Sequence, residues 1–279
     1  MSYDKPDLAA PAVVDRAAFQ AQVDALRVRE KAHMREGDAI AAARRRLPMV
    51  KVDGTVPLIG ENGPVSLLDA FEGRRMLIAY YYMWFDGEPA PEQCEGCTFF
   101  TTQVRELSHI HSRDVTYATF CQGSYEESVR YREFMGWEIP WYSVPEASLE
   151  ILLDGRRPGM MYLICYLRQG SEVFETYWTT RRGVEAMDNS YRLLDLTVYG
   201  RQEDWEDSPA GWPQYWGENN HPFRRDGRPI SQWRRLEEGH SDYLGPAGRD
   251  RGAADMPAAA GATERRRPNT SKASEARDL

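Results

Sequence analysis

The run RRMLIAYYYMWF, residues 74 to 85, is unbroken in apolar and aromatic character and has the length of a strand. A strand with no polar face must be covered on both sides, so the chain has to fold around a central strand with layers above and below it. The acidic, proline-marked loop DGEPAPEQ follows, and then Cys94 and Cys97, three apart, open the pattern CTFFTTQVRELSHIHS. Phe100, Val104, Leu107 and His111 of that pattern share one face at helical spacing, which predicts a helix running on from the cysteines.

The same reading extends along the chain. DVTYATFCQG is a second apolar strand, and SYEESVRYREFMGW a helix that turns Val129, Tyr131 and Phe134 inward. PGMMYLICYLRQGSEVFETYWTT is two strands around an Arg-Gln-Gly-Ser turn, and GVEAMDNSYRLLDLTVYG returns to helical spacing through Val184, Met187, Tyr191, Leu194 and Val198. Upstream, a helix is expected from about Asp15 to Arg46, capped by Asp15, with Gly37 as a possible break and Arg44, Arg45 and Arg46 matching its C-terminal dipole. VKVDGTVPLIGENGPVSLLDAF reads as a short strand, a turn and a brief helix. From residue 74 to 200 the order is strand, Cys-x-x-Cys helix, strand, helix, strand, hairpin strand, helix. That order predicts an α/β, thioredoxin-like fold, a central mixed sheet flanked by helices, with a helical N-terminal extension.

The expected divisions are a disordered N-terminus over 1–12, the helical extension over 13–48, the thioredoxin-like domain with a tryptophan-rich loop extension over 49–244, and a disordered tail over 245–279. The tail holds Met256 and Leu279 as its only large apolar residues, too little to offset the entropy of ordering it. Its charge is net positive, so the rest of the chain is more acidic than the overall −8. An acidic body argues against an electrostatic grip on nucleic acid or anionic lipid. No window approaches the roughly 18 to 20 apolar residues of a spanning helix, and the N-terminus lacks the basic start and apolar middle of a secretory signal, so a cytoplasmic location is expected.

In a reducing compartment four cysteines are not a disulfide framework, and a Cys-x-x-Cys pair points to redox or metal chemistry. At the first turn of a helix, Cys94 meets unpaired N–H groups that stabilise a thiolate, which makes it the expected nucleophile; Cys97, one turn inward, is the expected resolving thiol. Asp86, Glu88, Glu92 and Glu95 push the other way by crowding the loop with negative charge. Pro158, just ahead of the hairpin strand, is expected to shape a substrate groove through a cis Arg157–Pro158 bond, with Pro140 as the rival position, and Trp84 is placed with it on the substrate side. Cys121 and Cys165 lie in apolar strands and read as small buried hydrophobes. His109 and His111 are two apart rather than four and no second Cys-x-x-Cys exists, so no metal site and no cofactor are expected. Pro91 precedes Cys94 by three where a peroxidase site wants a hydroxyl. A thiol exchange enzyme with an unknown thiol or disulfide substrate or redox partner protein, an inactive thioredoxin-like binding scaffold and a structural zinc protein all stay open on these residues.

EKAHMREGDAIAAARRRLPMV, VSLLDAFEGRRMLIAYYYMW, CEGCTFF, RDVTYATF, MGWEIPWYS and YRLLDLTVYGRQEDWEDSPAGWPQ together resemble the DUF899 family of bacterial proteins over roughly Val14 to Gln214. The resemblance implies a thioredoxin-like fold with an N-terminal helical extension and the label of predicted dithiol-disulfide oxidoreductase, with the family's Cys-x-x-Cys falling on Cys94 and Cys97. The chain departs from the family pattern in the acidic loop before Cys94 and in SVPEASLEILLDGRRPG after PWYS.

Overall fold

The computed structural model describes residues 8–214 and 222–244. The expected disordered tail lies outside them, as does most of the expected disordered N-terminus. In chain order the elements are α1 (Arg16–Arg44), β1 (Val50–Val52), β2 (Pro57–Gly60), β3 (Gly63–Ser66), β4 (Met76–Tyr82), α2 (Glu95–Gln103), α3 (Ser108–His111) and β5 (Val115–Cys121). There follow α4 (Tyr125–Met135), β6 (Trp141–Ser143), α5 (Glu146–Leu153), β7 (Tyr162–Gln169), β8 (Glu172–Thr180) and a 3-10 stretch over Arg181–Met187. The short α6 (Ser190–Leu194), the ribbon β9 (Arg224–Arg225) and β10 (Arg228–Pro229), and α7 (Trp233–Glu237) complete the described chain.

Eight strands form one sheet in the order β1-β8-β7-β4-β5-β6-β2-β3. The apolar run is its middle: β4 pairs in parallel with β5 and antiparallel with β7. A parallel neighbour demands a crossover, which α2 and α3 supply, whereas β7 and β8 are antiparallel and need only the two-residue loop Gly170-Ser171, with Gly170 at φ 64°. First strand beside second through a helix, third and fourth as a hairpin on the other side: this is the thioredoxin-like arrangement expected from the element order. β6 and the β2–β3 hairpin extend the sheet at one edge and β1 at the other.

Alternation along β4 divides its side chains between two cores. Leu77, Ala79 and Tyr81 face Ala118, Phe120, Ile164 and Val173, under α5 and the β2–β3 hairpin. Tyr80 and Tyr82 face the other way, toward Tyr117, Cys121 and Leu163, under α2 and α4. Each fully buried large side chain contributes roughly 1.5–3 kcal/mol. α4 has clear boundaries: Ser124 accepts the Glu127 N–H at 3.2 Å, and Gly136 at φ 66° ends it in a left-handed cap.

Several expectations need correction. Gly37 does not break α1, which runs unbroken for 29 residues and buries none of them. The helix expected from Cys97 to Ser112 splits at Val104, whose backbone is extended, and Glu106 restarts it by accepting the Ser108 N–H at 2.7 Å. The helix expected through Val184 to Val198 shrinks to the 3-10 stretch and α6. Asp188 ends the one and caps the other by accepting the Tyr191 N–H, and Leu194 and Val198 stay exposed. β6 and α5 were not expected: WYS is too short to show a period, and SVPEASLEILL has its apolar residues in one short cluster. No helix among the described residues is long and apolar enough to cross a membrane.

Candidate functional site

β4 ends at Tyr82 and the chain loops out before returning at α2, so the two cysteines sit where the central strand delivers the chain to a helix start. Cys94 is the N-cap of α2, and its Sγ accepts the Cys97 N–H at 3.4 Å. Cys97 is fully buried one turn inward, and its Sγ accepts the Met83 N–H at 3.4 Å. The Cys94 thiol also lies 4.0 Å from the Met83 thioether. The thiol of Cys97 hydrogen-bonding to Cys94 is the largest cause that lowers the Cys94 pKa; burial opposes it, the Cys97 and Gly96 N–H groups assist, and Glu95 opposes. Burial and the neighbouring Cys94 push the Cys97 thiol well up. Of the four acidic residues expected to matter, Glu95 opposes ionisation of Cys94, and Arg224 on β9 pairs with that carboxylate at 3.6 Å. The environment therefore pulls two chemically identical thiols in opposite directions, lowering the pKa of Cys94 and raising that of Cys97.

Beneath the pair lies a buried polar layer. Thr98 Oγ1 donates to the Cys94 carbonyl at 2.8 Å and lies 2.9 Å from the hydroxyls of both Tyr82 and Tyr131. Gln232 reaches in from the C-terminal segment and donates to the Tyr131 hydroxyl and to the Ala90 carbonyl, both at 2.7 Å. Every one of these side chains is fully buried, and a buried polar atom left without a partner costs about 1–3 kcal/mol, so the layer fixes the start of α2 by mutual constraint.

The acidic loop is equally tied down. Gln93, fully buried, accepts the Phe85 N–H at 3.1 Å and donates to the carbonyls of Phe85 and Glu88 at 2.9 Å each. Glu127 on α4 accepts from the Trp84 indole at 3.1 Å and from the Gly87 N–H at 2.9 Å. A cover that sequence reasoning missed comes from residues 222–244. The Phe223 ring lies tilted against Phe99, with ring centroids 4.8 Å apart, and beside Gly96 between the cysteines, 3.8 Å from an ideal Cβ there, and Cys94 is only 8% exposed. The single signal for that cover was the return of apolar residues, Phe223, Ile230, Trp233 and Leu236, after the tryptophan-rich loop.

Pro158 and Trp84 come together, but in a hollow of about 720 Å³ with Gln122, Gly123 and Glu127. Neither cysteine lines it among the described residues. Trp84 is nearly buried, its indole 5.8 Å from the Tyr131 ring, and Gly123 is needed opposite it because a Cβ there would overlap the indole. Among the described residues no peptide bond is cis, so the expected cis Arg157–Pro158 bond is corrected to trans. Three residues, Gly159, Met160 and Met161, separate Pro158 from β7, and Met161 is the one that approaches Gly96, at 3.5 Å from an ideal Cβ there. Its carbonyl is held by the Thr180 hydroxyl.

Cys121 is fully buried with its thiol pushed up to about 12, and Cys165, partly buried, up to about 11, both chiefly by burial. Among the described residues no three His, Cys, Asp or Glu side chains gather as a metal site would require. A larger cleft, about 1140 Å³, lies on the α2 face of the sheet between Ile78, Tyr117, Leu163 and Met187 and includes Cys165 but not the pair.

A family described as bacterial protein of unknown function (DUF899) matches residues 8–238. The chain belongs to the DUF899 family. The match runs from the N-terminal helix into the cover over Cys94. No curated protein matches this DUF899 chain. Among solved structures it is similar to a thioredoxin from Wuchereria bancrofti, at 16% identity, with 50% of this chain and 90% of that one covered and a TM-score of 0.33. It is also similar to a putative thiol:disulfide interchange protein DsbE from Chlorobium tepidum, at 14% identity, 50% and 94% coverage and a TM-score of 0.35. A peroxiredoxin Q from Xanthomonas campestris aligns at 13% identity, 49% and 87% coverage and a TM-score of 0.33. At such scores the likeness carries no weight for residues or activity in this DUF899 member, whose fold rests on its own strand order.

Proposed function

We propose that this protein is a dithiol-disulfide oxidoreductase in which Cys94 is the nucleophile and Cys97 the resolving thiol. One observation carries the reading: Cys94 caps the start of α2 and Cys97 is fully buried one turn inward, so the first thiol is favoured toward the thiolate and the second toward the thiol. The Cys94 thiolate attacks one sulfur of a substrate disulfide; that S–S bond breaks, a mixed disulfide forms and the first substrate thiolate leaves and takes up a proton. Cys97 then gives up its proton and attacks Cys94 Sγ. The Cys94–Cys97 bond forms, the second substrate thiolate leaves, and two electrons have passed from protein to substrate. The reverse sequence oxidises a dithiol. Met83 N–H, already directed at Cys97 Sγ, stabilises the anion that forms there.

The test is an equilibrium titration of the reduced protein against dithiothreitol or glutathione with thiol trapping and mass measurement. A single reversible two-electron transition between about −300 and −120 mV is expected. Cys94→Ser removes exchange altogether, and Cys97→Ser accumulates the mixed disulfide. A pair that forms no disulfide at any poise sinks the reading. The near-complete cover of Cys94 favours one competitor, a thioredoxin-like scaffold that binds without turnover. Unchanged cellular function after both cysteines are replaced by serine selects that competitor.

A further inference from the structure

We infer that Met83 is an internal substrate of the cysteine pair: once its thioether is oxidised to the sulfoxide, Cys94 and Cys97 reduce it back and themselves become the disulfide. The inference rests on the exchange chemistry proposed above and gives the same two electrons a second acceptor. Its starting point is a meeting of three sulfur-bearing residues in three different surroundings. Cys94 is only 8% exposed and Cys97 is fully buried, whereas Met83 is partly exposed. The Cys94 thiol directs its weak donor at Met83 Sδ across 4.0 Å, and the Met83 N–H is directed at Cys97 Sγ at 3.4 Å. The cover that shields both cysteines thus leaves partly open the one methionine that contacts both.

The position of Met83 makes its oxidation matter. It is the first residue beyond β4, and its side chain packs against the aromatic core beneath α2. A sulfoxide turns a flexible apolar side chain into a polar, chiral one. Set against that core, the new oxygen is a polar group short of partners, and the residue it disturbs is the one that presents its N–H to Cys97. An unrepaired sulfoxide therefore damages the site to which it belongs.

The chemistry balances within the chain. Hydrogen peroxide delivers one oxygen atom to Met83 Sδ and leaves as water. Cys94 Sγ already occupies one side of Sδ, so the oxygen is added on another side and the sulfur stays open to Cys94. The Cys94 thiolate attacks Sδ; a sulfur–sulfur bond forms, the sulfur–oxygen bond breaks, and the oxygen takes up two protons and departs as water. Those two protons match the ones that Cys94 and Cys97 give up. Cys97 then attacks Cys94 Sγ, the bond between Cys94 and Met83 breaks, and its electron pair returns to Sδ as the thioether. Sulfoxide and two thiols have become thioether, disulfide and water. The second step is the same attack on Cys94 Sγ that resolves a mixed disulfide, and it uses the same buried thiol.

The experiment starts from the disulfide, so that the cysteines are protected while Met83 is oxidised. The full chain is closed with diamide, treated with hydrogen peroxide, freed of oxidant and opened with dithiothreitol, and the oxygen content of each methionine peptide is followed by mass measurement. Met34, 67% exposed on α1, is the internal reference for a sulfoxide that dithiothreitol meets alone. On opening, Met83 is expected to lose its oxygen while Met34 keeps it. In Cys94→Ser, oxidised and treated in the same way, Met83 is expected to keep its oxygen as Met34 does. A Met83 that takes up no oxygen under peroxide that converts Met34, or a Met83 sulfoxide that outlasts opening as Met34 does, overturns the inference and leaves disulfide exchange standing. Loss of the oxygen at the wild-type rate in Cys94→Ser overturns it as well. Failure of diamide to close the pair is a different result: it sinks the exchange reading, and the repair of Met83 falls with it.

Discussion

The two faces of the central sheet solve burial in opposite ways. Under α5 and the β2–β3 hairpin the core is mostly aliphatic, and two of its tyrosines, Tyr81 and Tyr166, satisfy each other at 2.8 Å. Under α2 and α4 the core is aromatic and hydroxyl-rich. Tyr82, Thr98, Tyr131 and Gln232 are linked by hydrogen bonds, the Tyr82 ring lies 5.4 Å from Trp141, and the two cysteines rest on top. An aliphatic core is tolerant of small shifts in its neighbours, whereas a fully buried polar layer loses free energy as soon as one partner moves. The first face therefore serves stability and the second serves position, by fixing the helix start that carries Cys94.

The largest effect expected from that contrast is on the aliphatic side. Phe120 is fully buried between β4 and the α5 face, and Phe120→Ala should cost about 3–5 kcal/mol in a urea melt. Its removal should leave the alkylation rate of Cys94 unchanged in the molecules that remain folded. A change in Cys94 reactivity comparable to that of substitutions under α2 would erase the difference between the faces.

Next comes the hub of the polar layer. Thr98→Val preserves shape but removes one oxygen that serves the Cys94 carbonyl and the hydroxyls of Tyr82 and Tyr131. A loss of about 1–3 kcal/mol is expected, with a slower reaction of Cys94 because the N-cap geometry loosens. If chemical denaturation shows a cost below about 0.5 kcal/mol, the hydroxyls are not mutually dependent.

How far the sequence foretells this depends on the scale of the signal. The central strand was legible because RRMLIAYYYMWF has no polar face, and Cys94 and Cys97 were legible because the motif follows it at a helix start. The arrangement of β4, β5, β7 and β8 followed from the sequence of elements, whereas β6 and the β2–β3 hairpin did not. The two-face division was hidden, since Tyr80, Tyr81 and Tyr82 are identical letters that alternate between cores only once β4 is paired. The Pro158 bond was misjudged because proximity in sequence to β7 was taken for proximity in space, and two further residues in the turn put Met161 nearer Gly96. The partnership of Thr98 with Gln232's network joins residues more than a hundred positions apart, with no local pattern to announce it.

A subtler effect separates the two thiols by pH. Cys94 has a depressed folded-state pKa, so its iodoacetamide reaction should rise with a midpoint below the ordinary thiol value of about 8.5 and fall away as pH drops through it. In stability terms Cys94 contributes above its unfolded pKa, and the contribution is lost as pH falls through the folded one. Cys97 has the opposite sign: its raised pKa favours the folded state below the unfolded value, and that benefit is lost as pH rises. Melts of the two single serine variants from pH 6 to 10 should therefore diverge from wild type in opposite directions. Parallel curves would mean that the environment does not distinguish the thiols.

The smallest expected effect on stability falls on the residue that best joins the layer to the chemistry. Tyr80 is fully buried, and its hydroxyl has no full hydrogen bond among the described residues. Burial first, and then Cys97, push its phenol pKa up, and Tyr80 in turn acts to lower that of Cys97. In the proposed exchange this protonated phenol is a donor toward the negative charge that appears on Cys97 Sγ when the mixed disulfide is resolved, together with the Met83 N–H. Tyr80→Phe removes an unsatisfied group, and the melting free energy should shift by no more than about 1 kcal/mol in either direction. The same change should lengthen the lifetime of the mixed disulfide on Cys94 severalfold while leaving the first alkylation of Cys94 nearly untouched, a split that rapid acid quenching and mass measurement resolve. Equal slowing of both steps would assign Tyr80 to packing alone, and the aromatic face would then differ from the aliphatic one in composition but not in purpose.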